Sequence, residues 1–110
     1  MSGEITPAFS EVIHSPTRLR ICALLRPVAE LEFSVVKDLV GLTDATLSKN
    51  LRVLADAGYI QTRKGQSLGR QDRRRLTWIG LTEVGREAVE GHIAALEEMF
   101  QSDPKSQAAS

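Results

Sequence analysis

A glycine between two helical patterns constrains the fold of this 110-residue chain more than any other feature. Before Gly41, Val36 and Val40 lie on one apolar face, and after it Thr43 is a favourable N-cap for a second helix. The second helix has one apolar stripe at the i, i+4, i+7 spacing, formed by Leu47, Leu51 and Leu54. Glycine readily adopts the left-handed conformation that ends a helix. The pattern predicts two helices that meet at a tight turn and share one core.

Serine, threonine and proline predict further helix starts in the first third of the chain. Thr6-Pro7 predicts a short helix that ends near His14, which gives an N-terminal helical arm over residues 1–14. Ser15-Pro16 repeats this signal and opens a helix with a broad apolar face, which Pro27 stops.

Strands are predicted on both sides of the helix pair. Leu31–Phe33 predicts a short strand, and Ser34 is the predicted cap of the helix Val35–Val40. Residues 59–64 and 73–79 are rich in β-branched or aromatic residues and predict two strands joined by a loop too long for a tight turn. The sequence does not decide which face of the second strand is buried. Leu76 and Trp78 lie on one face, and Thr77, Ile79 and Leu81 lie on the other.

Leu81-Thr82 is predicted to cap a final helix that runs to about Gln101. Its apolar residues have a coiled-coil-like spacing and form the candidate dimer interface: Val89, Ile93, Leu96 and Phe100. A second, weaker seam beside them contains Val84, Ala88, His92, Ala95 and Met99. The stripe could simply close the core of its own domain, but two seams favour a homodimer. Residues 102–110 are polar and predicted to be a flexible tail.

The formal net charge of zero hides a segregation of charge along the chain. Residues 43–80 hold eight cations and three anions, a net charge of +5, and the rest of the chain carries −5. Only a docking face needs to be basic, so this segregation favours nucleic acid as a partner. The arginines bracket the predicted hairpin loop, directly after the second helix of the pair.

The candidate DNA contacts lie on this helix and this hairpin. Four residues near the helix start are predicted to face bases or adjacent phosphates in a major groove: Ala45, Thr46, Ser48 and Lys49. Five arginines are predicted to hold the DNA backbone: Arg52, Arg63, Arg70, Arg73 and Arg74. Two ordinary core helices with a solvated polar face would explain the helices alone, and the adjacent basic hairpin is what favours DNA.

Catalysis and metal binding have little support. His14, Cys22 and His92 lie far apart without metal-ligand spacing or a nucleophile–base signature, and each is predicted to be structural. The glycines do not form a phosphate-binding loop. We therefore expect no enzymatic activity, no cofactor and no metal. The single cysteine and the absence of a long apolar run lead us to expect a cytoplasmic protein.

Three segments resemble winged-helix bacterial transcriptional regulators that lie between the ArsR and MarR families. HSPTRLRICALL resembles their first core helix, and GLTDATLSKNLRVLADAGYI resembles their turn and recognition helix. GRQDRRRLTWIGLTEVGREAV is similar to their wing strand and the start of their last helix. The resemblance implies an α+β, mostly helical fold, with a winged helix-turn-helix DNA-binding domain over residues 15–80 and a dimerisation helix over residues 81–101. Such proteins typically bind operator DNA as homodimers and repress transcription.

The chain departs from the family pattern at two places. Glu32 and Ser34 stand where metal-sensing ArsR members carry Cys-x-Cys, so metal sensing at that site is not expected. Lys37 stands where helix-turn-helix motifs usually have a small residue, and its stem is expected to lie along the helix pair with the ammonium in solvent.

Two function classes remain open at this point. The first is a regulator, a repressor by resemblance, that binds a pseudo-palindromic operator in double-stranded DNA. The second is a winged-helix interaction module whose basic face binds an acidic protein. The architecture also allows a small-molecule effector, although no polar constellation in the sequence identifies one. A small hydrolase is disfavoured by the lack of a catalytic signature.

Overall fold

A computed structural model describes residues 5–66 and 75–101, and in these residues four α-helices and three β-strands form. The elements in chain order are α1 (Pro16–Leu25), β1 (Leu31–Glu32), α2 (Phe33–Val40), α3 (Asp44–Asp56), β2 (Ile60–Gln66), β3 (Arg75–Leu81) and α4 (Glu83–Gln101). This confirms the α+β, mostly helical class. The predicted tail over residues 102–110 lies outside the described residues.

The predicted turn between α2 and α3 is present. Gly41 has a φ of 70°, and its N–H donates to the carbonyl of Lys37 over 2.9 Å. The left-handed backbone ends α2 and explains the glycine. Thr43 then caps α3, because its Oγ1 accepts the N–H of Thr46 at 3.1 Å.

The predicted cap of α2 was wrong. Ser34 lies inside the helix, which begins at Phe33, and the cap is Glu32, whose carboxylate accepts the N–H of Ser34 at 3.4 Å. Glu32 is also the last residue of β1, and its backbone is already extended as an N-cap requires. The strand therefore leads into the helix without a separate capping residue between them.

The sheet is antiparallel with the strand order β1-β3-β2. Ile79 and Leu81 are buried, whereas Trp78 is half-buried on the opposite face, which settles the ambiguous parity of β3. The strand β2 begins at Ile60 rather than Tyr59, because the N–H of Tyr59 donates to the carbonyl of Leu54 at the end of α3. Pairing of Ile60 with Leu81 extends β3 beyond its predicted end.

The predicted N-terminal helix does not form. Residues 5–10 have no regular secondary structure, and residues 11–14 form a turn. The N–H of Ala8 donates to the carbonyl of Gly91 at 2.9 Å, and that of Ser10 donates to Nδ1 of His92 at 3.0 Å. These two backbone donors bind α4 instead of forming helical hydrogen bonds, so residues 5–14 form an irregular arm on α4 that ends in one turn.

The end of α3 and the start of α4 are joined by backbone contacts. Thr82 donates its N–H to the carbonyl of Tyr59 at 3.0 Å and its hydroxyl to the carbonyl of Gly58 at 2.6 Å. The Thr82 hydroxyl also accepts the N–H of Gly85 at 2.9 Å, which confirms the predicted cap of α4. A Cβ at Gly85 would overlap the backbone of Tyr59, so only glycine permits this approach.

One apolar core holds these elements together. Its buried residues come from the arm, all four helices and the sheet: Ile13, Ile21, Cys22, Leu25, Val36, Val40, Leu47, Leu51, Leu54, Ile60, Ile79, Leu81 and Val89. The predicted core position of Cys22 is confirmed, and burial raises the pKa of its thiol to about 11. This thiol is therefore protonated and unreactive at neutral pH.

Candidate nucleic-acid interface

The polar face of α3 is open to solvent. The apolar stripe of Leu47, Leu51 and Leu54 is buried, which fixes the rotation of the helix about its axis. The five predicted contact residues on α3 are all exposed on the other side: Ala45, Thr46, Ser48, Lys49 and Arg52. The structure thus presents small polar side chains in the first turns and cations farther along, as a groove-reading helix needs.

The first turn of α3 is organised by two threonines. The hydroxyl of Thr43 donates to the Thr46 hydroxyl at 3.0 Å while it accepts the Thr46 N–H. The Thr46 hydroxyl accepts this bond and can still donate its own proton outward. Thr46 therefore offers a hydrogen-bond donor held in place by its neighbour.

Arg18 and Asn50, which were not predicted from the sequence, hold α3 in place through hydrogen bonds. Asn50 donates to the carbonyl of Thr46 at 2.8 Å, and its Oδ1 accepts a bond from Arg18 at 3.2 Å. Arg18 also donates to the carbonyl of Val12 at 2.6 Å. The signal in the sequence was Asn50 on the flank of an apolar stripe, where a half-buried amide needs partners. These bonds tie α3 to α1 and to the arm.

Lys37 bridges the helix pair. Its Nζ lies 2.9 Å from Oδ1 of Asp44, and this hydrogen-bonded ion pair raises the pKa of the lysine. The ammonium lies at the surface as expected, and there it also binds an exposed carboxylate in the first turn of α3. The pair offsets a negative charge beside the exposed α3 face, where it would repel phosphates.

The basic hairpin, called the wing below, consists of β2, β3 and their connection. Arg70, Arg73 and Arg74 lie outside the described residues. Arg63 is described, and it is already engaged, because its Nε lies 2.9 and 3.0 Å from the two carboxylate oxygens of Glu30. Its guanidinium also lies 5.4 Å from the ring centre of Trp78.

The candidate dimer seam on α4 divides into two parts. Val89 is fully buried in the core of its own chain, so its assignment to a dimer interface is corrected. Ile93 packs against that core and is half-buried, as is Leu96. Phe100 is 72% exposed, and Met99 of the second seam is 54% exposed.

An apolar surface surrounds this end of α4. Phe9 of the arm is 58% exposed. A groove of about 280 Å³ runs between the arm and the helix, lined by Phe9, Ser10, Glu11, His14, Leu96 and Met99. Among the described residues, apolar side chains on both sides of the groove are therefore exposed or half-buried.

His92 holds the arm through its neutral form. It is buried, its Nδ1 accepts the N–H of Ser10, and its Nε2 has no hydrogen-bond partner among the described residues. The rings of Phe9 and His14 meet it edge-on at 5.6 and 5.7 Å. Burial, with a smaller contribution from His14, lowers the pKa of His92. Its predicted structural role is consistent with these contacts.

The part of the chain that the structure describes contains no group of three metal-ligating side chains. Within the same residues, no helix has the length and apolar content needed to cross a membrane. The observed features are a tight helix pair, an exposed polar helix face and a β-hairpin beside it. Together they define a winged helix-turn-helix.

Comparison with known proteins places the chain in this class. Residues 17–100 match the model of the winged helix DNA-binding domain, and the chain belongs to this family. A relative, an uncharacterized protein of Methanocaldococcus jannaschii, is 32% identical over 83 residues, which cover 76% of this chain and 86% of the relative.

Solved structures share the fold. A transcriptional regulator homologue from Pyrococcus horikoshii OT3 superposes with a TM-score of 0.74 at 26% identity, covering 84% of this chain and 87% of that one. A MarR family transcriptional regulator from Silicibacter pomeroyi has a TM-score of 0.54 at 23% identity, covering 86% and 64% of the two chains. The resemblance to winged-helix transcriptional regulators is thereby confirmed.

Proposed function

We propose that this protein regulates transcription, as a repressor, by binding a pseudo-palindromic operator in double-stranded DNA as a homodimer. The observation that carries the proposal is the exposed face of α3, whose rotation is fixed by the buried leucine stripe. Membership of the winged helix DNA-binding domain family supports the same role. Repression is the simplest consequence of occupying an operator.

Each exposed residue of α3 has a role in this proposal. Ala45, Thr46, Ser48 and Lys49 face base edges or adjacent phosphates, and Arg52 binds the DNA backbone. The wing arginines Arg70, Arg73 and Arg74 bind phosphates as well, which stays a prediction from the sequence.

The homodimer is proposed to form through the apolar patch at the end of α4. Leu96 and Phe100, with the arm residue Phe9, supply the exposed or half-buried apolar surface. Burial against a partner copy would contribute roughly 1.5–3 kcal/mol for each fully buried side chain. The two α3 helices of such a dimer would sit about 34 Å apart, one turn of DNA, to meet the two half-sites.

Binding to a labelled random duplex over a series of salt concentrations tests the proposal. The wild-type chain should bind, and its affinity should fall steeply with salt because phosphate contacts release counterions. Arg52→Gln should reduce the slope of log Kd against log salt by about 0.9 for the one lost contact. Arg26→Gln is the matched control, because Arg26 is an exposed arginine at the end of α1 and is not one of the predicted DNA contacts.

Failure of the wild-type chain to bind duplex DNA would refute the proposed function. A salt-dependent complex with an acidic protein, without DNA binding, would instead identify an interaction module.

A further inference from the structure

Arg63, Glu30 and Trp78 form a three-part cluster on the outer face of the sheet. Arg63 on β2 is the register partner of Trp78 on β3, and Glu30 precedes β1 on the far side of β3. The guanidinium extends across the indole and binds the carboxylate through Nε and through Nη2. One side chain therefore links β2 to β3 and to the residue that precedes β1, on the face opposite the core.

Gly65 leaves the space that the guanidinium occupies. A Cβ at this position would lie 2.5 Å from Nη1 of Arg63 and 3.4 Å from the indole of Trp78. A Cβ at position 65 would therefore force this end of the Arg63 side chain to move. Arg63 pairs with Trp78 and Gly65 pairs with Leu76, so the two β2 residues lie on the same face of the sheet. The register therefore places the space left by Gly65 beside the Arg63 side chain.

The electrostatics of the cluster argue against a phosphate ligand. The carboxylate of Glu30 offsets the charge of Arg63 and occupies two of its nitrogens. A phosphate would have to compete with a bidentate partner in the same chain. The Glu30 side chain is the less exposed of the two, at 30% against 56% for Arg63, so the carboxylate is the more buried end of the pair.

We propose that Arg63 positions the wing against the helix-turn-helix by binding Glu30 across Trp78, and that it does not contact DNA. This inference rests on the proposed function, and it revises the sequence prediction that placed Arg63 on the DNA backbone. The clamp sets the direction in which β2 and β3 leave the core, and hence where the arginines beyond them meet the duplex. Because a preordered wing loses less freedom on binding, the clamp contributes to affinity without a phosphate contact.

The experiment compares Arg63→Gln and Glu30→Gln on random duplex over a salt series, with Arg52→Gln as the phosphate-contact reference. Both clamp variants should weaken binding by a similar factor, about three- to tenfold, because each breaks the same restraint. Neither should change the salt slope, whereas Arg52→Gln should reduce it by about 0.9. The double variant should bind no more weakly than either single one, since the residues act as a unit.

The opposite pattern identifies a phosphate ligand. If Arg63→Gln reduces the salt slope and Glu30→Gln strengthens binding by freeing the arginine, the inference is wrong. Wild-type affinity in both variants would also refute it. Each of these results requires that the wild-type chain binds DNA, so they are distinct from a failure of the proposed function, in which the wild-type chain itself does not bind.

Trp78 reports the clamp independently of DNA, because it is the only tryptophan in the sequence. Arg63→Gln and Glu30→Gln should both increase quenching of its fluorescence by acrylamide, as the guanidinium leaves the ring. Gly65→Ala keeps every charge and should produce the same increase with the same loss of affinity. Unchanged quenching in all three variants would show that the clamp does not form in solution.

Discussion

α3 and α4 both present a stripe of apolar residues at helical spacing, but the fold treats the two stripes differently. On α3 all three leucines are buried in the core of their own chain. On α4 the stripe begins fully buried at Val89 and ends with Phe100 72% exposed. Periodicity shows which face of a helix is apolar, whereas the segments that pack beside the helix decide whether that face is covered. Among the described residues, the exposed end of α4 borders the arm.

The strongest test of this difference is a cavity in the covered stripe. Leu54→Ala removes a fully buried side chain and should destabilise the fold by about 2–5 kcal/mol, measured by urea unfolding. Phe100→Ala is the matched variant in the uncovered part, and in a dilute, monomeric sample it should leave the stability nearly unchanged. Equal losses would mean that α4 is covered within the monomer.

A charge introduced into the exposed part of the α4 stripe tests whether that part forms the dimer interface. Leu96→Glu places a carboxylate in the apolar patch and should convert the proposed dimer to a monomer, because an unpaired charge is costly to bury. Light scattering gives the mass, and circular dichroism should show that the helix-turn-helix remains folded. Gln101→Glu adds the same charge at an exposed position and should leave the mass unchanged. A monomeric wild-type chain at micromolar concentration would refute the dimer.

The polar face opposite the covered stripe should carry sequence discrimination. Lys49→Ala should reduce preference for the operator over random duplex by on the order of 1–3 kcal/mol, if Lys49 meets a base edge. The measurement is the ratio of the two dissociation constants at one salt concentration. Equal weakening on both duplexes would assign Lys49 to a phosphate.

Acidification should loosen the arm that borders the uncovered stripe. The pKa of His92 is lowered in the folded chain, so folding favours the neutral ring. Its stabilising effect is present above the unfolded pKa of about 6.5 and is lost as the pH falls through the lower folded value. Protonated Nδ1 also could no longer accept the N–H of Ser10.

Urea midpoints between about pH 7.5 and 5.5 measure this loss, above the range in which most carboxylates titrate. His92→Gln should flatten the dependence. His14→Gln keeps the His92 bond and should retain most of it. A flat profile in the wild-type chain would contradict this role of His92.

Elements set by neighbouring residues were predictable from the sequence. Ser15 and Thr43 cap helices through side chains that reach backbone only three residues away, and Gly41 needs only its own left-handed φ. Such signals are local, so they can be recognised from the sequence alone. They account for α1, α3 and the turn between α2 and α3.

What the sequence did not predict depends on partners distant in the chain. The arm does not form a helix because Ser10 binds His92, 82 residues away, and Arg63 is held by Glu30, 33 residues away. A local helix signal at Thr6-Pro7 cannot include the competing acceptors on α4. The polar face of α3 was predictable for the opposite reason, since its exposure follows from the buried stripe on the same helix.

The bonds from Thr82 to Gly58 and Tyr59 join the start of α4 to the turn that leads out of α3. At a rise of about 1.5 Å per residue, the 19 residues of α4 span about 28 Å from this joint to the exposed apolar end. A change of about 10° in how α4 lies against a partner would therefore displace the joint, and α3 with it, by about 5 Å. In the proposed dimer, the way Phe100 of one chain packs against Phe100 of the other at the end of α4 would therefore affect the distance between the two α3 helices. That distance sets the spacing of half-sites that the protein accepts.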